Sequence, residues 1–175
     1  MIVLVGFMGA GKTTTGRQLA HHLGTAFVDA DEEIVHAAGR SIAEVFSTDG
    51  EAAFRDLEED VVARLLDGPE RVVSLGGGAC GRARTRERLA GHTVVHLDVS
   101  YAEFRRRTAG DVDRPLLARP DLEDLHGARR AVFTDVATTT LPVDGRTVDE
   151  VVRDILEAVP AVSQTDGGPL EPEDR

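Results

Sequence analysis

An α/β fold is predicted, in three layers, with helices on both faces of a central sheet of five parallel strands. Three observations carry it. Short apolar runs alternate along the chain with stretches of helical periodicity. The first run, Met1 to Val5, passes straight into Gly6-Phe7-Met8-Gly9-Ala10-Gly11-Lys12-Thr13, the pattern G-x-x-x-x-G-K-[ST] of a phosphate-binding loop between strand and helix. A length of 175 residues suits one compact core and is short for two.

Ile2 to Val5 reads as a buried parallel strand, since it is apolar throughout. In the loop that follows, the glycines at 6, 9 and 11 let successive N–H groups turn inward, and the next helix adds its dipole. Lys12 is the only lysine among 20 Lys and Arg residues, so a compact ammonium is required where every other cation is a guanidinium. Gly9, Ala10, Gly11, Lys12, Thr13 and Thr14 are therefore candidate nucleotide contacts, with Thr13 also offering its hydroxyl to magnesium. From Thr14 the spacing of Leu19, Ala20 and Leu23 predicts an amphipathic helix that stops at Gly24.

Ala26 to Val28 is the second strand. Asp29 and Asp31 follow it, two apart, which in extended chain places both carboxylates on one side, one to organise magnesium and one to accept a hydroxyl proton. The alternative is an acidic helix start, because Asp31, Glu32 and Glu33 suit a helix dipole. Ser41 with Glu44, Ser100 with Glu103 and Thr147 with Glu150 predict capping boxes at three helix starts. Between Glu51 and Leu66, Phe54, Leu57, Val61, Val62 and Leu65 form one apolar face, with Arg55 just off it.

Arg71 to Leu75 is the third strand. It runs into Gly76-Gly77-Gly78, a triplet costly in chain entropy that reads as close backbone approach to a ligand or as a simple tight turn. Thr93 to Val99 is the fourth strand and Thr139 to Val143 the fifth. Between them, residues 109 to 121 contain two Arg-Pro pairs and read as a lid able to bring Arg114 over phosphates, or as a solvated loop. Arg105 to Arg107 and the pair Arg129, Arg130 are ambiguous on their own. From Pro160 the chain is polar, acidic and rich in Gly and Pro, the composition of a disordered tail, which leaves residues 1 to 159 as the single domain.

The net charge of −11 argues against a nucleic-acid surface, which needs a broad basic face. With one cysteine, Cys80, no internal disulfide is available, and neither a signal peptide nor an apolar run of about 20 residues is visible. A cytoplasmic protein without membrane partners is expected, and its size suggests a monomer.

Taken together, GFMGAGKTT, FVDADEEI, GRSIAEVFSTDGEAAFRDLEE, SLGGGA, HTVVHLDV and RPLLARPD resemble the shikimate kinase family, of the nucleoside-monophosphate-kinase-like group of phosphate-loop folds. The resemblance spans Met1 to about Val159. It implies ATP and shikimate as substrates, one magnesium ion, and phosphorylation of the shikimate 3-hydroxyl. Lys12 and Thr13 then serve ATP and magnesium, with Asp29 supporting the metal. Asp31, Arg55 and the triplet Gly76, Gly77, Gly78 hold shikimate, with a shikimate-binding segment over about 31 to 60. Asp31 meets the acceptor hydroxyl and acts as its base. Arg114 contacts the ATP phosphates, Arg107 lies near adenine, and Arg129 completes the carboxylate site in preference to Arg130. The family's tyrosine is replaced here by Phe133. Lys12, Asp31 and Arg114 are the implied catalytic residues. Two rivals remain from the residues themselves: a kinase of another small hydroxy acid such as gluconate, and a nucleotide-binding module without turnover.

Overall fold

The computed structural model describes residues 1–110, 117 and 119–159. Five strands form one parallel sheet in the order β2-β3-β1-β4-β5. They are β1 Ile2–Val5, β2 Phe27–Asp29, β3 Val72–Ser74, β4 Thr93–Asp98 and β5 Thr139–Pro142, each within two residues of its expected ends. Every residue of β1 is buried, as expected of a central strand with helices on both faces. Val3 pairs with Val73 on one side and Val94 on the other, so three short apolar runs make the middle of the core.

The helices are α1 Lys12–Leu23, α2 Ala30–Ala38, α3 Ile42–Leu66, α4 Ala83–Leu89, α5 Tyr101–Arg107, α6 Leu122–Val136 and α7 Val148–Ala158. Helix α1 packs beside α7 and against the sheet. It ends at Gly24 as the sequence predicts. Helix α3 is two helices joined at Gly50, whose φ of 85° and ψ of 172° interrupt the helical path. The apolar stripe begins just beyond this kink, and Phe54, Val61, Val62 and Leu65 are buried on it. Among the described residues, no helix is long and apolar enough to cross a membrane.

Two expectations are corrected here. The capping boxes of α3 and α7 are complete, but at α5 only half of one forms. Ser100 accepts from the Glu103 N–H, whereas the Glu103 carboxylate bonds to Arg106 and Arg107 and leaves the Ser100 N–H to Asp144 Oδ1 at 3.0 Å. A charged guanidinium outcompetes a neutral amide for a carboxylate. Asp31 is not in extended chain either. Asp29 ends β2 and caps α2, accepting the Asp31 N–H at 3.0 Å, so Asp31 lies in the first helical turn as the acidic-start alternative holds. The helix turn, not strand alternation, brings both carboxylates to the same crevice.

Candidate active site

The ends of β1, β2 and β3 open onto two adjoining cavities at the carboxyl edge of the sheet, where open α/β sheets collect ligands. One, of about 430 Å³, is lined by Gly9, Gly11, Lys12, Thr13, Thr14, Asp29, Asp31, Gly77 and Arg129 among others. The second, of about 380 Å³, is lined by Arg55, Gly77, Gly78, Cys80, Arg129 and Phe133 among others. Gly77 and Arg129 belong to both, so one group can pass between them.

In the first cavity, Gly9 and Gly11 have φ of 75° and 88°, left-handed values that an L side chain resists, and they fold the loop around its own centre. The Lys12 ammonium donates to the Gly6 carbonyl at 2.8 Å and to that of Phe7 at 3.3 Å. Thr13 donates its hydroxyl to Asp29 Oδ2 at 2.8 Å. Ala10 is buried under the loop and gives its N–H to the Phe7 carbonyl. Asp31 keeps solvent contact through the open crevice, yet it sits deep within surrounding protein. That desolvation and the neighbouring Asp29 charge raise its carboxyl above the ordinary aspartate range, with Lys12 and Arg55 opposing. A carboxylate tuned upward beside a phosphate loop suits proton acceptance from an alcohol.

The second cavity is shaped by guanidinium groups. Arg55 Nη1 donates to Glu58 Oε2 at 2.6 Å, and Glu58 is only 3% exposed. Burial raises the Glu58 carboxyl, and the Arg55 contact opposes this. Arg129 lies with its guanidinium carbon 5.7 Å from the centre of the Phe7 ring and, among the described residues, makes no hydrogen bond or ion pair. Phe7 is itself gripped edge-on by Phe104 and His126. Arg130 faces the other way and forms a two-pronged pair with Asp98 at 2.7 and 2.6 Å. Its guanidinium is thus occupied, whereas that of Arg129 is available to an anion. Cys80, buried against this cavity, has its thiol pushed up to about 12, chiefly by burial, and is an inert part of the wall.

None of Gly76, Gly77 and Gly78 has a left-handed φ, so conformational freedom is not what requires them. Space is. A Cβ on Gly76 would lie 2.6 Å from Asp31 Oδ1, and one on Gly78 would lie 2.3 Å from Arg55 Nη1. The triplet lets a carboxylate and a guanidinium lie against bare backbone, which leaves both free to face the cavities.

Of the remaining candidates, Arg107 is not in the cavity wall. It donates to the Gly9 carbonyl at 3.0 Å and to the Val143 carbonyl at 2.8 Å, tying the phosphate loop to the end of β5. Arg114 lies outside the described residues, as do most of the expected lid and the tail from 160. Sequence reasoning missed Glu58, although its place three residues after Arg55 on a helix is a signal for an ion pair. It also missed the Phe7 stack, for which no local signal exists, because Phe7 and Arg129 meet only in the folded chain.

A sequence profile described as shikimate kinase matches residues 8–160. A shikimate kinase of Streptomyces coelicolor is 49% identical over 162 residues, covering 91% of this chain and 95% of its own. A structure of shikimate kinase from Acinetobacter baumannii in complex with shikimate superposes with a TM-score of 0.82 at 38% identity, covering 89% of this chain and 90% of that one. One from Aquifex aeolicus gives 0.81 at 34%, covering 90% and 94%.

Proposed function

The chain belongs to the shikimate kinase family, and from that premise we propose that it transfers the γ-phosphoryl group of ATP to the 3-hydroxyl of shikimate, giving shikimate 3-phosphate and ADP for aromatic amino-acid synthesis. The observation that carries the reading is the pair of cavities joined at Gly77 and Arg129, a phosphate loop in one and two guanidinium groups in the other. ATP phosphates fit the first. A small carboxylate bearing hydroxyls fits the second, since a planar anion matches the forked donors of Arg55 and Arg129.

In this reading Arg55 and Arg129 anchor the acceptor carboxylate, which turns its hydroxyls toward Asp31. Asp31 orients the attacking hydroxyl and accepts its proton. Lys12 meets the charge on the migrating phosphoryl group, and Arg114 is assigned the same task. Phosphoryl transfer needs little covalent help, so positioning and charge stabilisation account for the rate. The hydroxyl of Thr13 and the carboxylate of Asp29, 2.8 Å apart, are a fitting pair of hard oxygen donors for magnesium. When bound there, the ion supplies charge neutralisation between the phosphates. The protein is assigned to the cytoplasm as a monomeric domain of residues 1 to 159, with shikimate held by the 31 to 60 segment.

The test is ADP release with ATP and magnesium, comparing shikimate, quinate and gluconate. Turnover with shikimate alone, lost in Asp31→Asn, is expected. Turnover with gluconate and none with shikimate overturns the acceptor assignment. Nucleotide binding with no acceptor-dependent release reduces the protein to a binding module.

A further inference from the structure

Glu103 sits where a capping box places a glutamate, but its carboxylate does not cap. Its Oε1 accepts from Arg107 Nε at 2.7 Å, and both its oxygens accept from Arg106, also at 2.7 Å. The vacated Ser100 N–H is taken by Asp144, from the turn after β5. Arg107 spends the rest of its fork on two backbone carbonyls, Gly9 in the phosphate loop and Val143 beside that turn. One half-buried guanidinium therefore ties three segments distant in sequence, and Glu103 fixes its orientation through Nε.

The consequence for the loop follows from the planarity of the peptide. The Gly9 carbonyl and the Ala10 N–H belong to one rigid unit and point in opposite directions. With the carbonyl held by Arg107, the Ala10 N–H is directed to the Phe7 carbonyl, which it reaches at 3.2 Å. Gly9, with φ of 75°, has no side chain to resist a flip of this peptide, so the bond from Arg107 adds an external restraint to the one that the Ala10 N–H makes within the loop.

We infer that Glu103 is a positioning residue for nucleotide binding, which acts through Arg107 to lock the Gly9–Ala10 peptide and to hold the turn after β5 against the phosphate loop. The inference rests on the nucleotide reading of the first cavity but not on the identity of the acceptor. Asp144 belongs to the same device, since its bond to Ser100 draws the turn onto α5.

The experiment is calorimetric titration of ADP with magnesium, without acceptor, into the wild type, Glu103→Gln, Arg107→Ala and the double variant, with the shikimate KM and the melting temperature of each. Glu103→Gln is expected to weaken ADP about tenfold, the scale of one charge-assisted hydrogen bond, with the shikimate KM unchanged. In the Arg107→Ala background the same change is expected to cost nothing further, because Glu103 then has no guanidinium to orient. Arg106→Ala, which removes an exposed partner, leaves ADP affinity at the wild-type value. A melting temperature lowered with ADP affinity intact makes Glu103 merely structural and overturns the inference, as does an additive double variant. If the wild type binds no ADP, the inference falls with the nucleotide reading. If it binds ADP but shikimate is not phosphorylated, only the acceptor assignment falls, and the cycle still decides the role of Glu103.

Discussion

In the first cavity the largest single share of the lining comes from one continuous stretch, Gly9 to Thr14, whereas the second is built from α3, the loop after β3 and α6, which meet only in the folded chain. The difference extends to the glycines. Those of the first region permit a left-handed backbone, and those of the second make room for the side chains of Asp31 and Arg55. A site made of backbone is specified locally and tolerates changes elsewhere. A site made of opposed charges depends on each partner, because a buried ion left alone is costly.

Within the backbone-built region the largest effect should come from the one side chain on which the loop depends. Lys12→Ala is expected to lower turnover about 10²-fold or more, as for the loss of a transition-state donor. Near-normal turnover in a steady-state assay would remove Lys12 from the chemistry.

On the acceptor side, effects should appear in shikimate binding and not in nucleotide binding. Arg129→Ala is expected to raise the shikimate KM by about 10- to 100-fold, the worth of a charge-assisted hydrogen bond or a pair of them, with ADP affinity changed far less. Arg55→Lys, which keeps the charge but loses the fork, should raise that KM about tenfold. If ATP binding falls instead, the division into two regions is wrong.

Asp31 stands where the regions meet and offers a test of opposite sign. Its folded pKa is raised, so the stabilising contribution of its proton is present below the unfolded pKa and is lost as pH rises through the folded value. At neutral pH the charged form is a penalty. Asp31→Asn should therefore abolish turnover yet raise the melting temperature by no more than about 2–4 °C, and the gap to wild type should close as the medium is acidified through the raised pKa. A gap that widens in acid would contradict the raised pKa.

The smallest effect is predicted for the neighbour of Arg129. Arg130→Ala removes an exposed guanidinium from its two-pronged pair with Asp98, whose side chain is 12% exposed, and should lower stability by about 1 kcal/mol, with no change in the shikimate KM. A substantial KM change there would exchange the roles of the two arginines.

The five strands, the stop at Gly24 and the phosphate loop were legible in the chain. They are local: apolar runs, a glycine and a spaced motif act over a few residues. The preference for Arg129 over Arg130 came by resemblance, and the physical difference between the two arginines appears only in the fold, where Asp98 occupies Arg130 while Arg129 lies over Phe7. The conformation of Asp31 was misjudged because alternation assumes the strand continues, and the cap at Asp29 ends it. Glu103 was misread because the box pattern omits the competing guanidinium groups one turn on.

By itself, then, the sequence determined the layered α/β architecture and the phosphate loop, since periodicity and backbone geometry are short-range properties carried by adjacent residues. The tertiary structure alone decided how charges are shared between distant segments: Arg130 with Asp98, Arg107 with the carbonyls of Gly9 and Val143, and Asp31 raised by its burial in the crevice. Ion pairing and desolvation depend on distance and burial in three dimensions, and neither is fixed until the chain has closed on itself.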